Sequence, residues 1–463
     1  MGVQRRRRDA LGYYPRFCPQ PNALDRARPI RYPGGVTQTS ESAEGNRRSP
    51  TSPPTAESLW RYGDFLLLWG GQTVSDVGSA ITTLALPLLA VTLLRASTFE
   101  ISLITFLTYL AYLLITLPAG VIVDQLRKHG LMMWCDVARM VLVGSIPISA
   151  ALWHATLVQV YVVALLGGTL SVFFDVAYQS YVPGLVQGEQ LVDANGKLGT
   201  TNAFAGLLGP SLGGALVGLV GAATAVLIDA VSFAVSALSL VLIRTPEPKP
   251  ERRAEHVTFR AAMNEGLGFV VRHPILRRII ACTATANLFT ACYQAVEIVY
   301  LVRTLRVSPT VVGLLFSLGA VGGLVGGLTA GWFAKTVGSA RIIWASMLVP
   351  GPLYLLIPLA RPGWGALLFA AGNCAFSFAA LLYNTAQLSY RQRICPPELL
   401  GRMNASVRWI VWGTLPLGAL LGGGLGTWLG VRPTVWIGVL GDGLAGLFVW
   451  FSPLRGMRDV PDE

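Results

Sequence analysis

From Trp60 onward the chain alternates long apolar runs with short polar breaks. Twelve runs can be counted, at approximately 63–94, 99–126, 130–153, 156–182, 198–220 and 222–243, then 276–302, 309–335, 338–359, 362–388, 407–429 and 431–452. An apolar run of roughly 20 residues is the length of a helix that crosses the hydrocarbon core of a bilayer. Lipid satisfies no backbone N–H or C=O group, so only helices or a closed barrel can span it, and runs this long select helices. The pattern therefore predicts an all-α polytopic membrane protein of twelve spans.

The polar segments divide the chain further. Residues 1–57 are rich in Pro, Ser and Arg, without periodicity, and are expected to form a disordered, basic cytoplasmic tail. Arg5 to Arg8 open like the basic part of a signal peptide. No apolar stretch follows them, so no cleaved signal is expected. Contact of this tail with anionic lipid is the sharper alternative. A longer break, 244–278, is rich in Pro and charge, and Phe259 to Val271 within it are read as an amphipathic surface helix. The expected organisation is a tail over 1–57, a six-helix bundle over 58–243, a cytoplasmic linker over 244–275, a second bundle over 276–452 and a cytoplasmic tail over 453–463.

Composition narrows the function classes. Hydrophobic residues make up 53% and charged residues 13%, with 51 glycines, far from a soluble globular average. The net charge is +12, but its Lys and Arg collect in the connections between spans and form no nucleic-acid face, so no nucleic-acid partner is expected. Placed by the excess of basic residues, the breaks holding Arg127, Lys128, Lys197, Lys335, Arg341, Arg391 and Arg393 are cytoplasmic, and with an even number of spans both termini are too. The breaks holding Arg95, Arg303, Arg306, Arg361 and Arg432 then face outward. Six Cys, at 18, 135, 282, 292, 374 and 395, show no ligand spacing and are read as small apolar fillers. No phosphate-binding loop, no Ser/His/Asp set and no metal cluster is legible, so neither an enzyme nor a cofactor or metal is expected.

The two halves repeat. Ser180-Tyr181, Glu189, Leu191, Asn195 and Gly213-Gly214 recur 209 positions later as Ser389-Tyr390, Glu398, Leu400, Asn404 and Gly422-Gly423. A parallel repeat of six spans places a substrate site near the bilayer midplane between the halves. Between the second and third runs, Gly120 and Asp124 precede a short basic turn with Arg127 and Lys128, and Asp136 and Arg139 follow at i, i+3. In the fifth run Gly209-Pro210 and Gly213-Gly214 combine small residues for close helix contact with a missing backbone donor.

These motifs resemble those of the major facilitator superfamily of transporters. The Gly120/Asp124 turn is similar to the family's signature loop after its second helix, with Gln125 where the family often has Arg. Lys335 stands in the place of Asp124 in the second half. The Gly209–Gly214 stretch is similar to the Gly-Pro-x-x-Gly-Gly motif of proton-coupled antiporters. Ser180 to Gly214 and Ser389 to Gly423 resemble the branch holding enterobactin exporters and macrolide-efflux proteins. The resemblance implies two pseudo-symmetric six-helix halves that alternate access, efflux of a lipophilic drug-like or siderophore-like compound, and Gly120, Asp124, Arg127 and Lys128 as a cytoplasmic latch. Asp136 and Arg139 are expected to pair and brace it. The fourth run lacks the Arg that some drug–proton antiporters carry there. A uniporter or importer of the same fold, or a non-transporting sensor or scaffold, are the rival readings.

Carboxylates inside lipid are costly and mark functional candidates. Asp76, near the middle of the first run, aligns with Asn287 in the repeat and is the first candidate for proton coupling, followed by Glu297 and Asp175. Asp229 and Asp442 fall in the sixth and twelfth runs and are expected to be peripheral. Asn287, Gln294, Gln179, Asn373, Tyr383 and Asn384 are candidate polar groups of the substrate cavity, and Trp69, Phe106, Tyr109, Tyr112, Phe173 and Phe289 candidate aromatic walls. The expected partners are a small organic substrate, protons and the lipid bilayer of the cytoplasmic membrane, with the chain acting as a monomer.

Overall fold

A computed structural model describes residues 59–152, 154–186, 189–247 and 259–459. The expected tail over 1–57, the end of the chain and much of the central linker lie outside them. Among the described residues, twelve helices are long and apolar enough to cross a membrane. In the first half the spans are Gly63–Thr92, Thr98–Gln125, Lys128–Ala151, Leu157–Leu185, Glu189–Val220 and Ala222–Leu242. Phe259–Arg272 follows as a separate helix before the second half. There the seventh, eighth and tenth to twelfth spans are Pro274–Val299, Pro309–Val337, Leu367–Ile394, Pro397–Trp428 and Val431–Trp450. Side chains such as Leu219, Leu328 and Trp428 are exposed around the outside, as a surface facing lipid requires.

The ninth span differs from the single run expected. It is broken into Arg341–Leu348, Gly351–Tyr354 and Leu356–Leu359. Pro350 and Pro352 have no N–H to give, so the ladder cannot pass through them. Leu353 N donates instead to Pro350 O at 2.8 Å. The fifth and eleventh spans begin well before their apolar runs, because their polar first turns stay helical beyond the apolar stretch. The seventh span ends in a π-helical turn, Tyr300–Thr304.

Local chemistry fixes several helix starts. Ser97 caps the second span, its hydroxyl accepting from Glu100 N while Ser97 N donates to the Glu100 carboxylate. The third span is capped from a distance. Glu247, just after the sixth span, accepts from Lys128 N at 2.7 Å and from His129 N at 3.1 Å. A carboxylate at a helix N-terminus satisfies orphan donors and meets the positive end of the helix dipole. Nearby, Asp64 accepts from Arg244 N, Thr245 N and Thr245 Oγ1. Glu247→Ala is expected to cost about 1 kcal/mol. Amide exchange at Lys128 and His129 should quicken, while exchange in the second bundle stays as it was; unchanged exchange at those two amides would refute the cap.

The helices pack as two pseudo-symmetric halves. Within the first, span one packs on five and six, two on four, and three on four and six. Within the second, seven packs on eleven and twelve, and eight on ten. Across the halves, five meets eight and two meets eleven. Near the chain termini the halves keep separate cores, one around Phe65, Met132 and Phe174, the other around Leu382, Met403 and Val449. At the opposite, far end a single core joins them, with Leu88 and Ile101 packed in one cluster with Tyr300 and Val312. The twelve spans thus form a V, closed at the far end and open at the end where the first span begins and the twelfth ends.

Glycines make that closure. A Cβ on Gly214 would lie 2.5 Å from Pro309 O, and one on Gly313 would lie 2.2 Å from Pro210 O. The repeat mirrors this: a Cβ on Gly423 would meet Ser102 Oγ at 1.8 Å. Within each half the same motif packs inward, Gly209 on Ala80 and Gly422 on Cys292 O.

Candidate substrate cleft and buried polar groups

The open side of the V holds a cleft of about 540 Å³, lined from the first half by Tyr112, Leu113, Thr116, Gly120, Val176, Gln179 and Ser180, and from the second by Arg408, Trp409 and Trp412. Its apex is aromatic. Tyr112 and Trp412 face each other across the halves with ring centroids 5.9 Å apart. The Arg408 guanidinium lies 5.2 Å from the Trp412 ring. One turn farther in, Tyr109 OH donates to Gln294 Oε1 at 2.9 Å, also across the halves. At the far end Arg303 donates to Ala96 O at 2.5 Å, bridging the closed end.

Asp175 stands beside the cleft, accepting from Tyr112 OH at 3.4 Å. Asp76 is half-buried between spans one and five, bonded to Gln72 Nε2 at 2.6 Å and to Asn202. Glu297 is buried away from the cleft and accepts from Tyr293 OH, four residues before it. Asp76 and Asp175 thus lie near enough to act on each other, with Arg139 close to both, whereas Glu297 stands apart.

Asp136 and Arg139 form their ion pair, both buried. The Arg139 guanidinium is sandwiched between Phe174 and Phe233, 4.4 and 4.5 Å from their centroids, and reaches Ser171 Oγ at 3.4 Å. In this form, open toward the termini, the pair stands apart from Asp124. Arg139 lies about three helical turns into the third span, whereas Asp124 and Arg127 are exposed at its outer edge. Lys128 is engaged by Glu247 instead, at 4.0 Å. Gly120 meets no atom within 4 Å where a Cβ would stand, and lines the open cleft.

The polar cavity candidates separate into groups. Gln179 lines the cleft and Gln294 caps it. Asn373 packs against Gly319 of the eighth span. Asn287, Tyr383 and Asn384 line a different space, a chamber inside the second half. Asn287 donates there to Val411 O at 3.2 Å, and Tyr383 OH lies 2.7 Å from Thr283 Oγ1. Of the aromatic candidates, Tyr112 lines the cleft, Trp69 donates to Thr201 Oγ1 at 2.9 Å, and Phe289 packs on Gly441. Trp409, Trp412 and Arg408 were not legible as walls. Their spacing of one helical turn was the available signal, and it is shared by any lipid-facing stripe.

A twelve-helix V with a cleft between repeated halves meets a family model described as Major Facilitator Superfamily, which matches residues 68–412. The chain belongs to the major facilitator superfamily. It is a multi-pass membrane transporter, not an enzyme. It is 26% identical over 419 residues to the multidrug efflux pump Tap of Mycolicibacterium fortuitum, covering 87% of this chain and 99% of that protein. It is 25% identical over 411 residues to the enterobactin exporter EntS of Salmonella typhi, covering 86% and 94%. The fold is similar to that of a bacterial homologue of the iron transporter ferroportin in its inward-facing state, with TM-score 0.65, 18% identity and coverage of 85% and 98%.

Proposed function

We propose that this transporter is an exporter that exchanges protons for a lipophilic drug-like or siderophore-like organic compound. The observation that carries this reading is the cleft itself. A space of about 540 Å³ walled by the rings of Tyr112, Trp409 and Trp412, with Thr116, Gln179, Ser180 and Arg408 as polar groups among them, has the size and character of a site for a drug-sized organic molecule. The similarity to Tap and EntS supports efflux as the direction. Basic residues concentrate at the end holding the termini, which supports a cytoplasmic placement of that end. The cleft then loads from the cytoplasm.

Proton exchange needs an acid whose protonation changes its demand for water or a partner. Asp76 and Asp175 stand in the first half, next to or near the loading cleft, and we assign the coupling role to Asp76 first. Everted vesicles test this. A panel of lipophilic compounds is offered with and without an imposed proton gradient. The expected result is gradient-driven uphill accumulation of at least one compound, falling at least about tenfold in Asp76→Asn while downhill exchange persists. Accumulation that survives Asp76→Asn would remove Asp76 from the role. Uptake in right-side-out vesicles with no efflux would favour an importer, and absence of any flux a sensor or scaffold.

A further inference from the structure

The chamber inside the second half shares no lining residue with the substrate cleft. Its volume is about 210 Å³, and it lies between spans seven, nine, ten and twelve. Asn287 and Asn384, both accessible, line it. Asp442 also lines it, 4% exposed, although the twelfth span was expected to be peripheral.

Like Asp229 and Glu297, Asp442 is a buried acid with no described cation partner, and unlike them it lines this chamber. Its only hydrogen bond among the described residues comes from Thr290, at 3.0 Å, and no described Lys or Arg pairs with it. Of the buried acids of the first half, Asp136 has Arg139, and Asp229 has the hydroxyls of Ser232 and Thr82. Beside Asp442 stands Tyr354. This residue is 1% exposed and lines the chamber. It is brought there by the proline-broken ninth span. Its ring meets Phe376 edge-on, with centroids 5.3 Å apart and planes at 65°. A carboxylate with no described cation partner, beside the rings of Tyr354 and Phe376, makes a space that lacks a positive charge.

Aromatic faces with a nearby carboxylate are the chemistry that recognises ammonium groups. A chamber of about 210 Å³ falls below the ~300 Å³ of the smallest drug-sized pockets, so it takes a headgroup rather than a whole molecule. We propose that this chamber is a subsite for the positively charged nitrogen of an exported organic amine, with Asp442 as counter-charge and Tyr354 and Phe376 as walls. The proposal rests on the exporter reading for its physiological meaning, and names the class of compound for it. The titratable side chains lining the chamber besides Asp442 are Tyr354 and Tyr383, with Cys282 adjacent to them on the seventh span; none is basic.

The test is direct binding to purified full-length protein in lipid nanodiscs, which needs no transport. Choline is the probe, and 3,3-dimethylbutan-1-ol is its uncharged isostere. Choline is expected to bind at least about tenfold more tightly than the isostere, and Asp442→Asn to abolish that difference while leaving the isostere unchanged. If Asp442→Asn does not fold, Phe376→Leu keeps the buried carboxylate and is expected to weaken choline about fivefold and the isostere less than twofold. Equal binding of the two probes would overturn the proposal. So would displacement of choline by sodium at equal concentration, which would make the site one for an inorganic cation. Ammonium binding without vesicle efflux would sink the exporter reading and leave the chamber standing; efflux without ammonium preference would do the reverse.

Discussion

Gly313→Val is expected to hold the two halves apart at the far end and to lower transport at least about tenfold. The side chain would have to enter a space already filled by backbone: Pro210 O at 2.2 Å and Gly214 Cα at 2.9 Å from the new Cβ. Backbone cannot turn aside as a flexible side chain can, so spans five and eight must separate. Overpacking of this kind costs about 1–3 kcal/mol. Conformers of one protein commonly differ by only a few kcal/mol, so about 2 kcal/mol shifts their ratio roughly 30-fold. The form closed at the far end and open toward the termini loses population, and a transporter that cannot revisit it cannot complete its cycle. Spin labels at His154 and Trp364, both exposed at the far end of opposite halves, should report a longer distance in the variant. An unchanged distance distribution would refute the seam. Gly206→Ala serves as the control, since no atom lies within 4 Å of its Cβ position.

Arg139→Leu is expected to destabilise the first bundle by about 3–5 kcal/mol, the usual cost of stranding one member of a buried pair. Asp136 is 0% exposed and would keep its charge with no cation, while the guanidinium's contacts with Phe174 and Phe233 would also be lost. The comparison that isolates the charge is the double variant Asp136→Asn/Arg139→Leu. It should recover more than half of the loss, because a neutral amide no longer needs the cation. Unfolding free energies measured in mixed detergent would decide. A single variant as stable as the parent would mean that the pair contributes nothing to folding.

Much of this fold could be read from hydropathy, because lipid forces every span to be a long apolar helix. The 209-residue repeat also marked the glycines that turn out to close both cross-half contacts, Gly214 and Gly423. What stayed hidden was the direction each side chain faces. A soluble helix advertises its inner face by contrast with polar residues; a membrane helix is apolar toward lipid and core alike. Asp442 therefore looked peripheral although it faces the seventh span, and Trp412 looked like any aromatic residue in a bilayer. The depth of the Asp136–Arg139 pair was hidden for a related reason: a spacing of three residues paired them but did not say how far the pair sits from the membrane edge. Val349-Pro350-Gly351-Pro352 did carry the signal for the broken ninth span, since two missing N–H groups in four residues cannot be absorbed by one helix.

The Glu247 cap also bears on how the halves can move. It pins the chain to the first bundle five residues past the end of the sixth span, with Asp64 holding Arg244 and Thr245 just upstream. The tether between the bundles therefore has less slack than its residue count suggests, and starts from a rigid bollard beside the third span. Rocking of the second bundle would pull on that anchorage point, so changes in tether length should alter the reach of the stroke before they alter the strength of either bundle.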